Sequence, residues 1–168
     1  MNAVVITVSD SCFAGEREDR SGPAVAARLR EAGFTVEITL VVPDEMEPIA
    51  AALRQQAAGT RLVVTTGGTG IAPRDVTPEA TRSVCDRILD GFGEQMRREG
   101  LRSTPLAPLS RAVSGSLGAS LIVNLPGSPR AAVESLDAVL HLIPHALALL
   151  SGDSRHPEGS GDGEPRVR

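Results

Sequence analysis

The amino-acid sequence predicts a three-layer α/β/α sandwich around a mainly parallel sheet with a mixed edge. Short β-branched runs alternate with segments of helical period, the pattern of crossover-connected strands. Those runs are apolar throughout, as strands covered on both faces are. Composition agrees: 41% of the 168 residues are hydrophobic, yet three are Phe and none is Trp or Tyr. Ala, Val, Leu and Ile must therefore fill the core. A chain of this length is expected to make one domain, over residues 1–150, burying roughly 69% of its unfolded surface.

Ala3–Ser9 (AVVITVS) is the first expected strand, followed by a polar loop over Asp10–Arg20. Ser21 is placed to cap a helix starting near Gly22-Pro23, with Val25, Leu29 and Ala32 on one face and Gly33 as its stop. Phe34–Val42 is the second strand. Pro43-Asp44-Glu45 turns it into a helix carrying Met46, Ile49, Leu53 and Ala57, closed by Gly59. Arg61–Thr66 is the third strand and runs straight into Gly67-Gly68-Thr69-Gly70.

Thr77-Pro78-Glu79 combines a capping hydroxyl, a Pro at the first helical position and an acid in the first turn. The helix it opens is expected to carry Ala80, Val84, Ile88 and Leu89. Gly91–Leu101 is a further short helix, and a Pro-broken loop then reaches Leu109. Ala112-Val113 starts a strand, and Ser120–Leu125 is a clearer one. Ser128-Pro129 repeats the cap-plus-Pro signature and opens a helix with Val133, Leu136 and Leu140 on one face. Pro144 breaks it before Ala146–Leu150. Residues 151–168 have the composition of a disordered polar tail.

All 17 basic residues are Arg. The absence of Lys excludes a Walker A loop, a Schiff-base lysine and any lysine nucleophile, since each needs an ε-amine. A net charge of −4 argues against a nucleic-acid or anionic-membrane surface, and without Trp or Tyr no base-stacking platform is expected. No apolar run is long enough to span a bilayer, and no basic segment precedes the first apolar stretch. Cys12 and Cys85 lie outside any zinc spacing and read as reduced thiols of a cytoplasmic protein. His141 and His145 straddle Pro144 with no third ligand nearby, so zinc is not expected. Ser110 lacks a nucleophile-elbow motif and reads as a polar loop residue.

Three constellations can carry chemistry. The first is Thr65-Thr66-Gly67-Gly68-Thr69-Gly70, followed by Pro73-Arg74-Asp75-Val76-Thr77-Pro78. Glycines at a strand's carboxyl end let backbone amides approach a phosphate, and a helix N-terminus at Thr77 adds positive dipole. Gly68, Gly70 and Pro73 nearly fit the dinucleotide fingerprint, but Pro73 stands where its third glycine belongs. Second, Asp44 and Asp75 follow the second strand and the third strand's glycine loop. If those strands are neighbours, both carboxylates face one crevice and are hard oxygen ligands for Mg²⁺ across substrate phosphates. Asp44 also reads as a turn acid after Pro43, and Asp75 as a cap for the helix at Thr77. Third, Asn124-Leu125-Pro126-Gly127-Ser128-Pro129-Arg130 joins a strand end, a turn and a helix N-terminus. Arg130 opposes the helix dipole there, which points to a phosphate, a carboxylate partner or plain exposure. Ser9-Asp10-Ser11 can line the same crevice or simply end the first strand.

Together these segments resemble the MogA/MoaB family of molybdenum-cofactor biosynthesis proteins. The matching pieces are TVSD (Thr7–Asp10), VPDE (Val42–Glu45), TTGGTG (Thr65–Gly70), PRDVTPEAT (Pro73–Thr81), GFGEQMR (Gly91–Arg97), LSR (Leu109–Arg111) and NLPGSPR (Asn124–Arg130). They run from about Ala3 to Leu150. The resemblance implies a molybdopterin adenylyltransferase, in which the terminal phosphate of molybdopterin attacks the α-phosphate of ATP with Mg²⁺ and releases pyrophosphate. It places the paired aspartates on Asp44 and Asp75, the TGGTG loop on Thr66–Gly70, and the serine of LSR on Ser110. Arg74, Arg111 and Arg130 would neutralise remaining charge, while Ser110 and Ser114 would position the pterin. Family members are usually trimers and sometimes hexamers, so a homotrimer is expected, with a molybdate-inserting enzyme as a possible downstream partner. Two positions depart from the common pattern: many members carry Lys where Arg130 stands, and Ser11-Cys12 replaces an Arg. The alternatives are a MoaB-type paralogue acting as a pterin-binding scaffold and a nucleotide pyrophosphatase of related fold.

Overall fold

The computed structural model describes residues 1–152, so the expected tail lies outside the described residues from position 153. Six strands form one sheet: β1 (Asn2–Val8), β2 (Thr35–Val42), β3 (Leu62–Thr66), β4 (Arg87–Ile88), β5 (Ser114–Leu117) and β6 (Ser120–Leu125), in the order β2-β1-β3-β6-β5-β4. The first four strands in that order are parallel, and β5 and β4 are antiparallel additions at one edge. This is the expected mixed-edge sheet. β1, β3 and β6 are buried almost throughout, because helices cover both faces.

On one face, Val5, Val64 and Val123 pack against Val25 and Leu29 of α2 (Ser21–Glu31), Met96 of α5 (Asp90–Gly100), Leu136 of α6 (Pro129–Leu140), and Ile143 and Leu147 of α7 (Ile143–Leu150). On the other, Val4, Ile6, Val63 and Ile122 meet Ile49 and Leu53 of α3 (Met46–Ala57), with Ala80 and Val84 of α4 (Thr77–Val84). Each fully buried Leu or Ile stabilises by roughly 1.5–3 kcal/mol relative to exposure. Phe34 and Phe92 are in the first core, whereas Phe13 is exposed. No single helix among the described residues is long and apolar enough to cross a membrane; α6 and α7 are bent by 61° at the break before Pro144.

Several local expectations give way to tertiary pairing. The stretch after β1 begins with a one-turn helix, α1 (Asp10–Phe13), capped by the Ser9 hydroxyl accepting from the Cys12 amide at 3.3 Å. Ser21 does not cap α2. The Asp19 carboxylate does, accepting the Gly22 amide at 3.0 Å and the buried Thr7 hydroxyl at 2.7 Å. Ile88 and Leu89 are not on α4, which ends at Val84; Cys85 turns extended, and Arg87-Ile88 pairs with Ser116 and Gly115 of β5. The next strand starts at Ser114 rather than at Ala112. β2 and β3 are not neighbours, for β1 lies between them.

Candidate functional site

The carboxyl ends of β1, β2, β3 and β6 share one edge of the sheet, where a parallel α/β fold opens its crevice. A cavity of about 730 Å³ sits there, lined by Ser9, Asp44, Gly67, Gly68, Asp75, Gly127 and Ser128 among others. Asp44 and Asp75 thus meet as expected, but across β1 rather than on adjacent strands.

The glycine turn is built by close backbone approach. Gly67 has φ +101°, and a Cβ there would run into the Val8 carbonyl oxygen. Gly68 has φ +62°, and a Cβ there would meet the Thr77 hydroxyl and come within 3.0 Å of Asp44 Oδ1. Only glycine accommodates both the conformation and the space. Thr77 does not cap α4: its hydroxyl donates to the Gly67 carbonyl at 2.9 Å, and its amide donates to the Gly68 carbonyl at 3.1 Å. The Gly67 amide is committed to the Leu125 carbonyl at 3.1 Å, and the Thr66 hydroxyl to the Pro126 carbonyl at 2.6 Å. Among the described residues the amides of Gly68, Thr69 and Gly70 have no acceptor, unlike that of Gly67, and of the three Gly68 lines the cavity.

Each acid has one oxygen tied down and one without a hydrogen bond. Asp44 Oδ2 accepts the Asp10 amide at 2.8 Å, and Asp75 Oδ2 accepts the Ala72 amide at 2.8 Å. Burial pushes the Asp44 carboxyl above the usual range, opposed by the Asp10 amide and reinforced by the charges of Asp10 and Asp75. Asp10 is lowered, chiefly by its hydrogen bonds from Arg74. Among the described residues no cluster of three or more His, Cys, Asp or Glu could hold a metal by protein ligands alone. Two carboxylates with free oxygens do fit a hard divalent cation whose remaining ligands are phosphate oxygens and water.

Other expected site residues serve the frame. Asn124 is fully buried, its amide donating to Thr65 at 3.0 Å and Thr81 at 2.9 Å. Thr69 is buried, and its carbonyl accepts from the Arg111 amide. The Arg111 guanidinium donates to the carbonyls of Gly70 and Asp75, each at 2.6 Å, and pairs with Glu79. It therefore braces the loop instead of facing the cavity. Arg130 pairs with Glu134 at 2.7 Å on the surface, and Arg74 pairs with Asp10. Ser110 and Pro126 line a separate, smaller cavity of about 190 Å³ with Met96, Leu106 and Ala131. Ser114 is fully buried in β5, its hydroxyl without a partner among the described residues.

The cavity also takes Cys12, Arg17, Glu18, Asp19, Arg20 and Ser21, none of which stood among the expected site residues. The signal was available: this polar connection follows the carboxyl end of a strand buried on both faces, where loops of such folds line the ligand crevice. Arg17 reaches back to the Ser9 hydroxyl at 3.4 Å, and Arg20 pairs with Glu18 at the surface.

The family model described as "Probable molybdopterin binding domain" matches residues 4–145. The molybdopterin adenylyltransferase of Helicobacter pylori (strain J99) is 44% identical over 156 residues, covering 89% of this chain and 87% of that protein. The crystal structure of the molybdopterin biosynthesis enzyme MoaB from Thermus thermophilus has a TM-score of 0.84 at 50% identity, covering 90% of this chain and 96% of that one. The molybdenum cofactor synthesis protein cinnamon of Drosophila melanogaster is 40% identical over 152 residues; the match covers 89% of this chain and only 25% of that protein. With its parallel sheet, its glycine turn and this match over nearly all of its described residues, the chain belongs to the MogA/MoaB family of molybdenum-cofactor biosynthesis proteins.

Proposed function

We propose that the protein is a molybdopterin adenylyltransferase. The observation that carries this is the pair of acids, Asp44 and Asp75, each holding one uncommitted oxygen beside a turn with free amides. Two carboxylates in one cavity repel a triphosphate unless a cation lies between them. Asp44 and Asp75 would hold Mg²⁺ through their uncommitted oxygens, and the ion would supply the positive charge that offsets the phosphates of ATP.

The chain's own groups position the reactants. The Gly68, Thr69 and Gly70 amides receive phosphate oxygens, and the N-terminus of α6 at Ser128 presents its positive dipole to the same cavity. A terminal phosphate oxygen of molybdopterin attacks the α-phosphorus of ATP, the bond to the β-phosphate's bridging oxygen breaks, and pyrophosphate leaves. Such transfers need alignment and fixed dipoles more than a covalent side chain. The largely apolar cavity beside Ser110, reached across the Pro126-Gly127 turn, offers room for part of the pterin.

The test is pyrophosphate release from ATP and Mg²⁺ with and without molybdopterin, together with chromatography of the nucleotide product. The reading predicts release only with molybdopterin, and an adenylylated pterin. AMP formed without molybdopterin would point instead to a pyrophosphatase, and a stable pterin complex without turnover to a scaffold. We further propose that the protein works in the cytoplasm as a homotrimer, passing its product to a molybdate-inserting enzyme.

A further inference from the structure

We propose that Asp10 is a positioning residue that fixes the separation of Asp44 and Asp75, acting through Asp44 on one side and through Arg74 on the other. The proposal rests on the reading of those two acids as the cation-holding pair.

Strand order explains why a residue at this place can do so. Asp44 follows β2, Asp75 lies in the loop that grows from β3, and β1 runs between them. Asp10, two residues beyond β1, therefore lies between the two acids. On the β2 side the contact is reciprocal: the Asp10 amide donates to Asp44 Oδ2 at 2.8 Å, and the Asp44 amide donates to Asp10 Oδ1 at 2.9 Å. This paired bond fixes the Asp44 carboxylate and leaves its Oδ1 toward the glycine turn.

On the β3 side, Arg74 grips Asp10 in bidentate fashion, Nε to Oδ2 at 3.0 Å and its terminal nitrogen to Oδ1 at 2.9 Å and Oδ2 at 2.7 Å. Such a fork sets direction as well as distance. Asp75 is the next residue, and it sits in a closed turn: its amide donates to the Ala72 carbonyl at 2.9 Å, and its carboxylate accepts the Ala72 amide. Anchoring Arg74 therefore anchors Asp75.

Asp10 has no acceptor capacity to spare. Both oxygens are filled by Asp44 and Arg74, so it does not bind substrate or cation itself. The ion pair is also a poor source of stability, with side chains 60% and 46% exposed. Five hydrogen bonds, two to Asp44 and three from an exposed arginine, on a residue linking both acids make geometry its role.

The test is Mn²⁺ affinity, by electron paramagnetic resonance, of the full chain with α,β-methylene-ATP. It compares wild type, Asp10→Ala, Asp10→Asn, Arg74→Gln and Asp44→Asn. Residues that orient metal ligands typically account for roughly 10–100-fold in affinity. Asp10→Ala is expected to fall in that range. Asp10→Asn, which keeps an acceptor for the Asp44 amide but not the charge for Arg74, should fall between it and wild type, as should Arg74→Gln. Turnover of Asp10→Ala should recover at raised Mg²⁺ with KM for molybdopterin unchanged, which a general loss of structure would not allow. Affinity within twofold of wild type in Asp10→Asn and Arg74→Gln, both conservative enough to fold, overturns the proposal. If Asp44→Asn also binds Mn²⁺ like wild type, the cation-pair reading fails with it; if Asp44→Asn alone is weakened, only the role of Asp10 falls.

Discussion

Gly67 offers the sharpest separation of conformational strain from steric fit. Its φ of +101° lies where L side chains are strained, and a Cβ would collide with the Val8 carbonyl oxygen and sit 3.2 Å from its carbon. Both neighbours are backbone of a buried strand, so neither can move aside. Gly15 provides the control: its φ is +74°, and a Cβ there would meet nothing within 4 Å. Left-handed backbone costs a non-glycine residue roughly 1–2 kcal/mol, and overpacking a well-filled site adds about 1–3 kcal/mol. Gly15→Ala should therefore lose only the first amount, and Gly67→Ala the sum, about 2–5 kcal/mol. At roughly 2–4 °C per kcal/mol for a chain of this size, the additional overpacking cost should make Gly67→Ala melt about 2–12 °C below Gly15→Ala. Urea denaturation followed by circular dichroism reads the same difference as a lower midpoint at similar slope. Equal stabilities would refute the claim that close approach to β1, rather than conformation alone, demands glycine there.

Asp19→Ala removes both the carboxylate that caps α2 and the acceptor of the buried Thr7 hydroxyl. A loss of about 1–3 kcal/mol in urea unfolding is expected. Arg111→Gln strips the donors from the Gly70 and Asp75 carbonyls, and hydrogen exchange should quicken at the Ala72 and Asp75 amides while the amides of β3 stay protected. Burial raises the Asp44 carboxyl, so its ionised form opposes folding. That penalty is absent below the unfolded value of 3.8 and complete above the raised folded one. Asp44→Asn should therefore be more stable than wild type at neutral pH, a gain that vanishes in acid titrations of unfolding. Cys85 is pushed up to about 11 by burial and the Asp86 charge. Its alkylation, followed by mass spectrometry, should rise about tenfold per pH unit between pH 8 and 10 and start roughly a hundredfold below that of a thiol at the ordinary value of 9.0.

Features written in local chemistry were legible in the sequence. The TTGGTG turn, the strand ends, and the Ser128-Pro129 start of α6 follow from residue type and spacing within a few positions. So did the convergence of Asp44 and Asp75, although the reason supposed for it, adjacent strands, was replaced by a shared edge across β1. What was not legible depends on partners far along the chain. Arg111 bonds residues 36 and 41 positions away, and Asp10 bonds residues 34 and 64 positions away. No spacing in the sequence announces such pairs. An arginine near a phosphate-binding loop looks the same whether it faces the ligand or braces the loop from behind. β4 was hidden for a related reason. Ile88 and Leu89 continue the helical period of α4, but edge pairing with β5 satisfies the backbone there and overrides that period.

The most direct test of the central claim is transfer of label from [α-³²P]ATP. The claim is that Asp44 and Asp75 together hold the cation across which adenylyl transfer occurs. Wild-type protein with Mg²⁺ and molybdopterin should place the label in the pterin product, with pyrophosphate unlabelled. Asp44→Asn and Asp75→Asn, both folded, should transfer it about 100-fold more slowly, the scale of losing one electrostatic group from such a site. Label recovered only as AMP in the wild type, or transferred by either variant at the wild-type rate, would contradict the account.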